Sequence, residues 1–117
     1  MATTATTRES WQTEEIGDLF DAILALRSRE EAAAFFRDLC TLGELHDMAQ
    51  RWAVVRMLEH GLHYAEISKR TGASTATITR IASWLNHGEG GYRAALDRRA
   101  KGSARRASRA ADQGTTT

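Results

Sequence analysis

The large apolar residues of this chain recur at helical spacing, and that recurrence narrows the fold to an all-α one. From Ile16 they fall at Ile16, Leu19, Phe20, Ile23 and Leu24, the i, i+3, i+4, i+7, i+8 stripe of an amphipathic helix. Glu14 and Glu15 sit in its first turn, where acid favours the positive end of the helix dipole. A second helix opens with Ser28 and Glu31, spaced as a capping box, and carries Ala32, Phe35, Phe36 and Leu39. A third opens the same way with Thr41 and Glu44 and runs through Leu45, Met48, Ala49, Trp52, Val55 and Leu58 to a stop at Gly61. The chain has no proline, so none of these helices is interrupted. Their stripes can close over one another or over a second copy of the chain.

After Gly61 the texture changes. LHYAEISKRTGASTATITRIASWLNHGEGG reads as a short helix over about Tyr64–Thr71, a tight turn at Gly72 and a second helix over about Thr75–Asn86. Two short helices joined by a glycine-containing turn make a helix-turn-helix candidate. Ile67, Ile78 and Ile81 are spaced to meet in the crossing, Ser68 is small where the backbones approach, and Gly72 supplies the positive φ of a sharp corner. Ser74, Thr75, Ala76, Thr79, Arg80 and Ser83 are then left outside. Ser and Thr are mediocre helix formers, so their density here asks for a reason. A helix in a major groove supplies one. Short hydroxylated side chains reach bases and phosphates, Thr and Ala methyls meet the thymine methyl, and Arg reaches guanine or the backbone. The competing reading is an inert helical hairpin whose Thr residues merely cap the second helix.

Charge supports the first reading. Residues 1–60 hold 6 Lys/Arg against 11 Asp/Glu, whereas residues 61–117 hold 10 against 4, a net of −5 facing a net of +6. A chain divided in this way suggests an anionic partner for its second half, double-stranded DNA being the obvious one. Arg98, Arg99, Lys101, Arg105, Arg106 and Arg109 extend the basic character into a tail. That tail reads equally as a solvated basic segment or as added non-specific phosphate contact.

At this point a resemblance becomes specific. The run ATITR (Ala76–Arg80), with Thr71-Gly72-Ala73 before it and Ser83-Trp84-Leu85-Asn86 after it, resembles the recognition helix of the tryptophan repressor superfamily. Within that superfamily the chain is most similar to the YerC/YecD-type Trp-repressor-related proteins. The likeness covers about Phe36 to Gly88 and includes LCTLGELHDMAQRWAVVRMLEHG. It implies a Trp-repressor-like intertwined helical homodimer that offers one helix-turn-helix to each of two successive major grooves. It also implies base-reading roles for Thr75, Ala76 and Thr79, and DNA contact from Tyr64 and Ser68. Thr41, Arg51 and Arg80 match the groups around the repressor's corepressor, the two arginines sandwiching its indole. There are departures. Ile81 and Trp84 stand where the repressor has a glycine and a serine, and the loop near Leu62–Tyr64 is one residue shorter. The expectation is that Ile81 and Trp84 fill or narrow the ligand space, so that tryptophan is not required.

The expected organisation is a flexible segment over residues 1–12, a dimerisation and DNA-binding domain over 13–99 with its motif at about 62–86, and a disordered basic tail over 100–117. Within that domain, Tyr92–Arg99 reads as a short final helix anchored by Leu96. The expected function is that of a sequence-specific transcriptional regulator, a repressor, on a pseudo-palindromic operator. The alternative is a helical protein-interaction module with weak or no specific DNA binding. Other chemistry is not indicated. His46, His60, His63 and His87 lack metal-site spacing, and no Ser/His/Asp set, carboxylate pair or phosphate loop stands out, so neither an enzyme nor a cofactor is expected. Trp52 and the single Cys40 read as core. A lone Cys fits a reducing compartment, and no apolar run is long enough to span a bilayer. A cytoplasmic protein without a membrane partner is expected; its small-molecule effector, if it has one, is not named by the sequence.

Overall fold

The computed structural model describes residues 10–115, which form six helices and no strand among the described residues. These are α1 (Glu14–Leu24), α2 (Arg29–Leu39), α3 (Leu42–Glu59), α4 (Tyr64–Thr71), α5 (Thr75–His87) and α6 (Gly91–Thr115). The chain is therefore all-α. It divides into two compact units, residues 1–45 and 46–117, and each has its own logic.

In the first unit every helix start is tied down by a side chain. Thr13 Oγ1 accepts the Ile16 N–H at 3.2 Å and Ser28 Oγ accepts the Glu31 N–H at 3.1 Å. Thr41 and Glu44 close a full capping box: the Glu44 N–H donates to Thr41 Oγ1 at 3.1 Å, and the Glu44 carboxylate accepts the Thr41 N–H at 2.9 Å. The Thr41 backbone N–H first, and then the Thr41 hydroxyl, hold the Glu44 carboxyl below the ordinary glutamate value. Glu31 does something slightly different, since its carboxylate reaches the Arg27 N–H, one residue ahead of the cap. Aromatic pairs sit edge-on, Trp11 with Phe20 and Phe35 with Phe36. Nothing among residues 10–45 is buried. Phe20, Leu24, Leu39 and Leu42 remain 45%, 83%, 50% and 52% exposed.

The second unit has a core. Val54 and Val55 of α3, Ile67 of α4, and Ile78 and Ile81 of α5 are fully buried, with Ala73 and Leu96 nearly so. Trp52, Met57, Leu58, Leu62, Leu85 and Tyr92 pack around them. The end of α3 is a Schellman stop: the Leu62 N–H reaches the Met57 carbonyl, the Gly61 N–H reaches that of Leu58, and Gly61 takes φ +79°. At the other end Tyr92 stacks on Trp52 at 6.4 Å between centroids, and Arg93 bonds Glu59 at 2.8 Å. These contacts fix the start of α6 to α3.

Two sequence expectations differ from the structure. A short helix over Tyr92–Arg99 and a disordered tail from Ala100 were expected; instead α6 runs unbroken to Thr115. The segment lacks a hydrophobic period, yet its Ala and Arg are strong helix formers, and propensity decides where packing does not. Cys40, expected in a core, is half-buried at the C-cap of α2. The expected flexible segment over 1–12 falls, for residues 1–9, outside the described residues, as do tail residues 116 and 117. Residues 10 and 11 lie in a turn, and the Thr13 N–H donates to the Trp11 carbonyl at 3.0 Å.

Candidate nucleic-acid interface

The corner between α4 and α5 is built by a few local bonds. Gly72 caps α4 with φ +78°, and its N–H donates to the Ser68 carbonyl at 2.8 Å. A left-handed residue at this point would strain any side chain, which is why glycine stands here. Thr71 works in both directions: its hydroxyl donates to the Ile67 carbonyl at 2.7 Å and accepts the Ala73 N–H at 3.1 Å. Gln50 on α3 donates from its side-chain amide to the Thr71 carbonyl at 3.0 Å. The turn is thus tethered to the long helix, and buried Ala73 locks it from below.

From this corner α5 presents two contrasting faces. Ile78 and Ile81 point wholly into the core, while Ser74, Thr75, Ala76, Thr79, Arg80 and Ser83 are exposed. The helical period accounts for the split, since 75 and 79, and 76, 80 and 83, each share a side. On α4 Tyr64 is exposed and Ser68 half-buried, one turn apart. Not every hydroxyl on this surface is free. Ser74 Oγ caps α5 by accepting the Thr77 N–H at 3.1 Å, and it donates to Thr77 Oγ1 at 3.0 Å. The Thr79 hydroxyl donates to the Thr75 carbonyl at 2.9 Å. Ser74 therefore acts first as a cap, and Thr79 offers outward an oxygen lone pair and a methyl group.

Beside the exposed face lies an open cavity of about 240 Å³ lined by Asp47, Gln50, Arg51, Thr77, Arg80, Ile81 and Trp84. It brings together four of the five residues expected at a ligand pocket. The fifth, Thr41, lies in the other unit, where its hydroxyl and N–H are both engaged with Glu44. Ile81 and Trp84 line this space without closing it. Ile81 is spent on the core and shows only an edge to the cavity, and Trp84 stands half-exposed as a wall. Neither Arg51 nor Arg80 makes an ion pair among the described residues. Sequence reasoning missed Asp47, Gln50 and Thr77. The signal for Asp47 and Gln50 was available, since both fall within one turn of Arg51 on α3.

No group of His, Cys, Asp and Glu suited to a metal occurs among the described residues, and no described helix is long and apolar enough to cross a membrane. Known proteins agree with this architecture. Residues 14–100 match the Trp repressor protein family, and the chain belongs to that family. It is 50% identical over 84 residues to YerC of Bacillus subtilis (strain 168), a protein of uncharacterised function, covering 72% of this chain and 81% of that one. A TrpR-like protein from Eubacterium eligens superposes with a TM-score of 0.71 at 42% identity, over 74% of this chain and 90% of its own. A candidate Trp repressor from Staphylococcus aureus gives 0.71 at 44% identity, over 75% and 88%. The chain thus has the all-helical fold of a DNA-binding regulatory family.

Proposed function

We propose that this protein is a sequence-specific transcriptional repressor that binds a pseudo-palindromic operator as a homodimer and needs no tryptophan to do so. The observation that carries the reading is the two-faced α5: one side wholly buried, the other a row of Thr75, Ala76, Thr79, Arg80 and Ser83 open to solvent. Arg80 suits guanine or phosphate, and Thr75, Ala76 and Thr79 suit close approach to base edges. Tyr64 and Ser68 on α4 are available to the flanking backbone. Homodimerisation is supported by the first unit, which buries no residue fully and leaves Phe20, Leu24, Leu39 and Leu42 exposed.

Independence from tryptophan rests on how α5 is held. Ile78 and Ile81 are anchored in the core, Ser74 caps the helix start, and Gln50 ties the preceding turn to α3. The recognition helix is therefore fixed by the chain's own contacts, and a ligand between Arg51 and Arg80 has little left to order. Selection of genomic fragments at moderate salt, run with and without added L-tryptophan, tests both parts. The expected product is a site whose half-site centres lie about 34 Å apart, enriched equally in the two arms. Recovery of a co-purifying protein and no DNA would replace the regulator with an interaction module. Enrichment confined to the tryptophan arm would overturn ligand independence alone.

A further inference from the structure

The long α6 has a sidedness that the helix-turn-helix does not use. At 100° per residue, Arg98, Arg105 and Arg109 lie within about 40° of one another, and adding Arg99, Lys101 and Arg106 widens the arc only to about 160°. The other side carries Ala100, Ala104, Ala107, Ala110 and Ala111. No acid interrupts the stretch between Asp97 and Asp112. From Arg98 to Arg109 the face is about 16 Å long. All six cations are exposed, and none is in an ion pair among the described residues.

Such a helix is opposed by its own charges. Lys101 with Arg105, and Arg105 with Arg109, are like-charged pairs at i, i+4, which destabilise a free helix. Gly102 within it is a further cost. The helix also buries nothing large beyond Leu96. A regular polyanion would relieve the repulsion. At the root of the arm, a cavity of about 310 Å³ is lined by Arg56, His60, Leu96, Arg99 and Ser103, together with Glu59, whose carboxylate is occupied by Arg93. The Nε of Arg56, one of its lining residues, is buried without a hydrogen-bond partner. The root is thus short of an acceptor, and the arm is short of counter-charge.

We infer that α6 from Arg98 to Arg109 is a helical arm that lies along the phosphate backbone of duplex DNA, outside the site read by α5. Two other partner classes fit worse. Asp97 to Ala111 contains no large apolar residue, so the arm has nothing to bury in a membrane interface. Its alanine side offers no anchor for a protein groove. Duplex DNA presents one phosphate per about 1.7 Å of axis, and contacts to it add affinity without reading sequence. The start of α6 is clamped by Tyr92, Arg93 and Leu96, so the arm is held in register with the motif unit.

This inference rests on the DNA-binding reading, and its test separates the two. The full-length triple variant Arg98→Gln, Arg105→Gln, Arg109→Gln keeps good helix formers at all three positions. The corresponding triple Lys variant keeps the charge. Binding of each to a random-sequence duplex, and to the selected operator, is measured from low to moderate salt. In the Gln variant the slope of log affinity against log salt should shrink by about 0.9 per cation removed. Affinity should fall by about tenfold or more on both duplexes, leaving their ratio unchanged, and the Lys variant should match wild type. Wild-type slopes in the Gln variant would overturn the arm and leave the operator reading intact. Absence of any duplex binding by the wild-type protein would overturn both.

Discussion

At the scale of single residues, hydroxyl hydrogens decide what α5 can say to DNA. The Thr79 proton is given to the Thr75 carbonyl, so toward solvent the residue can accept a hydrogen bond and offer its methyl group. That suits a donor edge such as adenine N6 or cytosine N4, or a thymine methyl. We expect Thr79→Ala to cost about 1–3 kcal/mol of operator affinity and to relax selectivity at one base pair in each half-site. Competition among operator variants measures this, and unchanged discrimination would remove Thr79 from base readout. The outward placement of Thr79 was legible in the sequence, because buried Ile78 and Ile81 fix the phase of the helix. The direction of its hydroxyl was not, nor was the capture of Ser74 by Thr77, since both depend on rotamers relative to a backbone the sequence does not specify. Trp84 shows the same limit. Its bulk beside Arg80 is readable, but whether an indole fills a cavity or walls it depends on a side-chain torsion.

At the scale of elements, the helix starts were the most legible features, because a cap is a local chemical pattern. Thr41 and Glu44 are three residues apart and close their box as the spacing predicts. This has a consequence in acid. The folded-state pKa of Glu44 is lowered by its bonds to Thr41, and that of Glu59 by Arg93. A carboxyl lowered in this way stabilises the fold above its unfolded value, about 4.3 for glutamate, and the contribution is lost as pH falls through the folded value. Urea midpoints of the wild type and Glu44→Ala should therefore differ at pH 7 and converge in strong acid. A gap that persists at low pH would show that ionisation of Glu44 contributes nothing. The end of α6 was not legible in the same way. Arg and Ala without an apolar period look like a solvated tail to a reader of stripes, while the helix propensity of the same residues favours a helix against the repulsion of their charges. Likewise Gln50 gave no sign of holding the turn, since a tether 21 residues long in sequence follows from tertiary geometry.

At the scale of the whole molecule, the division of labour between the two units matters most. Residues 46–117 close a core around Val54, Val55, Ile67, Ile78 and Ile81, whereas residues 10–45 bury nothing. The stripes that made the all-α fold readable are thus of two kinds, and periodicity alone does not tell them apart: in the second unit they close a core, in the first they bury no residue fully. Phe20 and Leu24, one turn apart on α1, and Leu39 and Leu42 at the α2–α3 junction all stay exposed, and exposed apolar surface of this kind suits an interaction surface. A second copy of the chain offers a partner with the same apolar faces, in keeping with the symmetry of most soluble oligomers. We therefore expect a homodimer by sedimentation at micromolar concentration, with a thermal midpoint that rises with protein concentration as mass action requires. Leu24→Asp and Leu39→Asp should each weaken association, because neither residue belongs to the core of the second unit. A folded monomer at micromolar concentration, with a concentration-independent midpoint, would refute the dimer and leave those exposed side chains without a purpose.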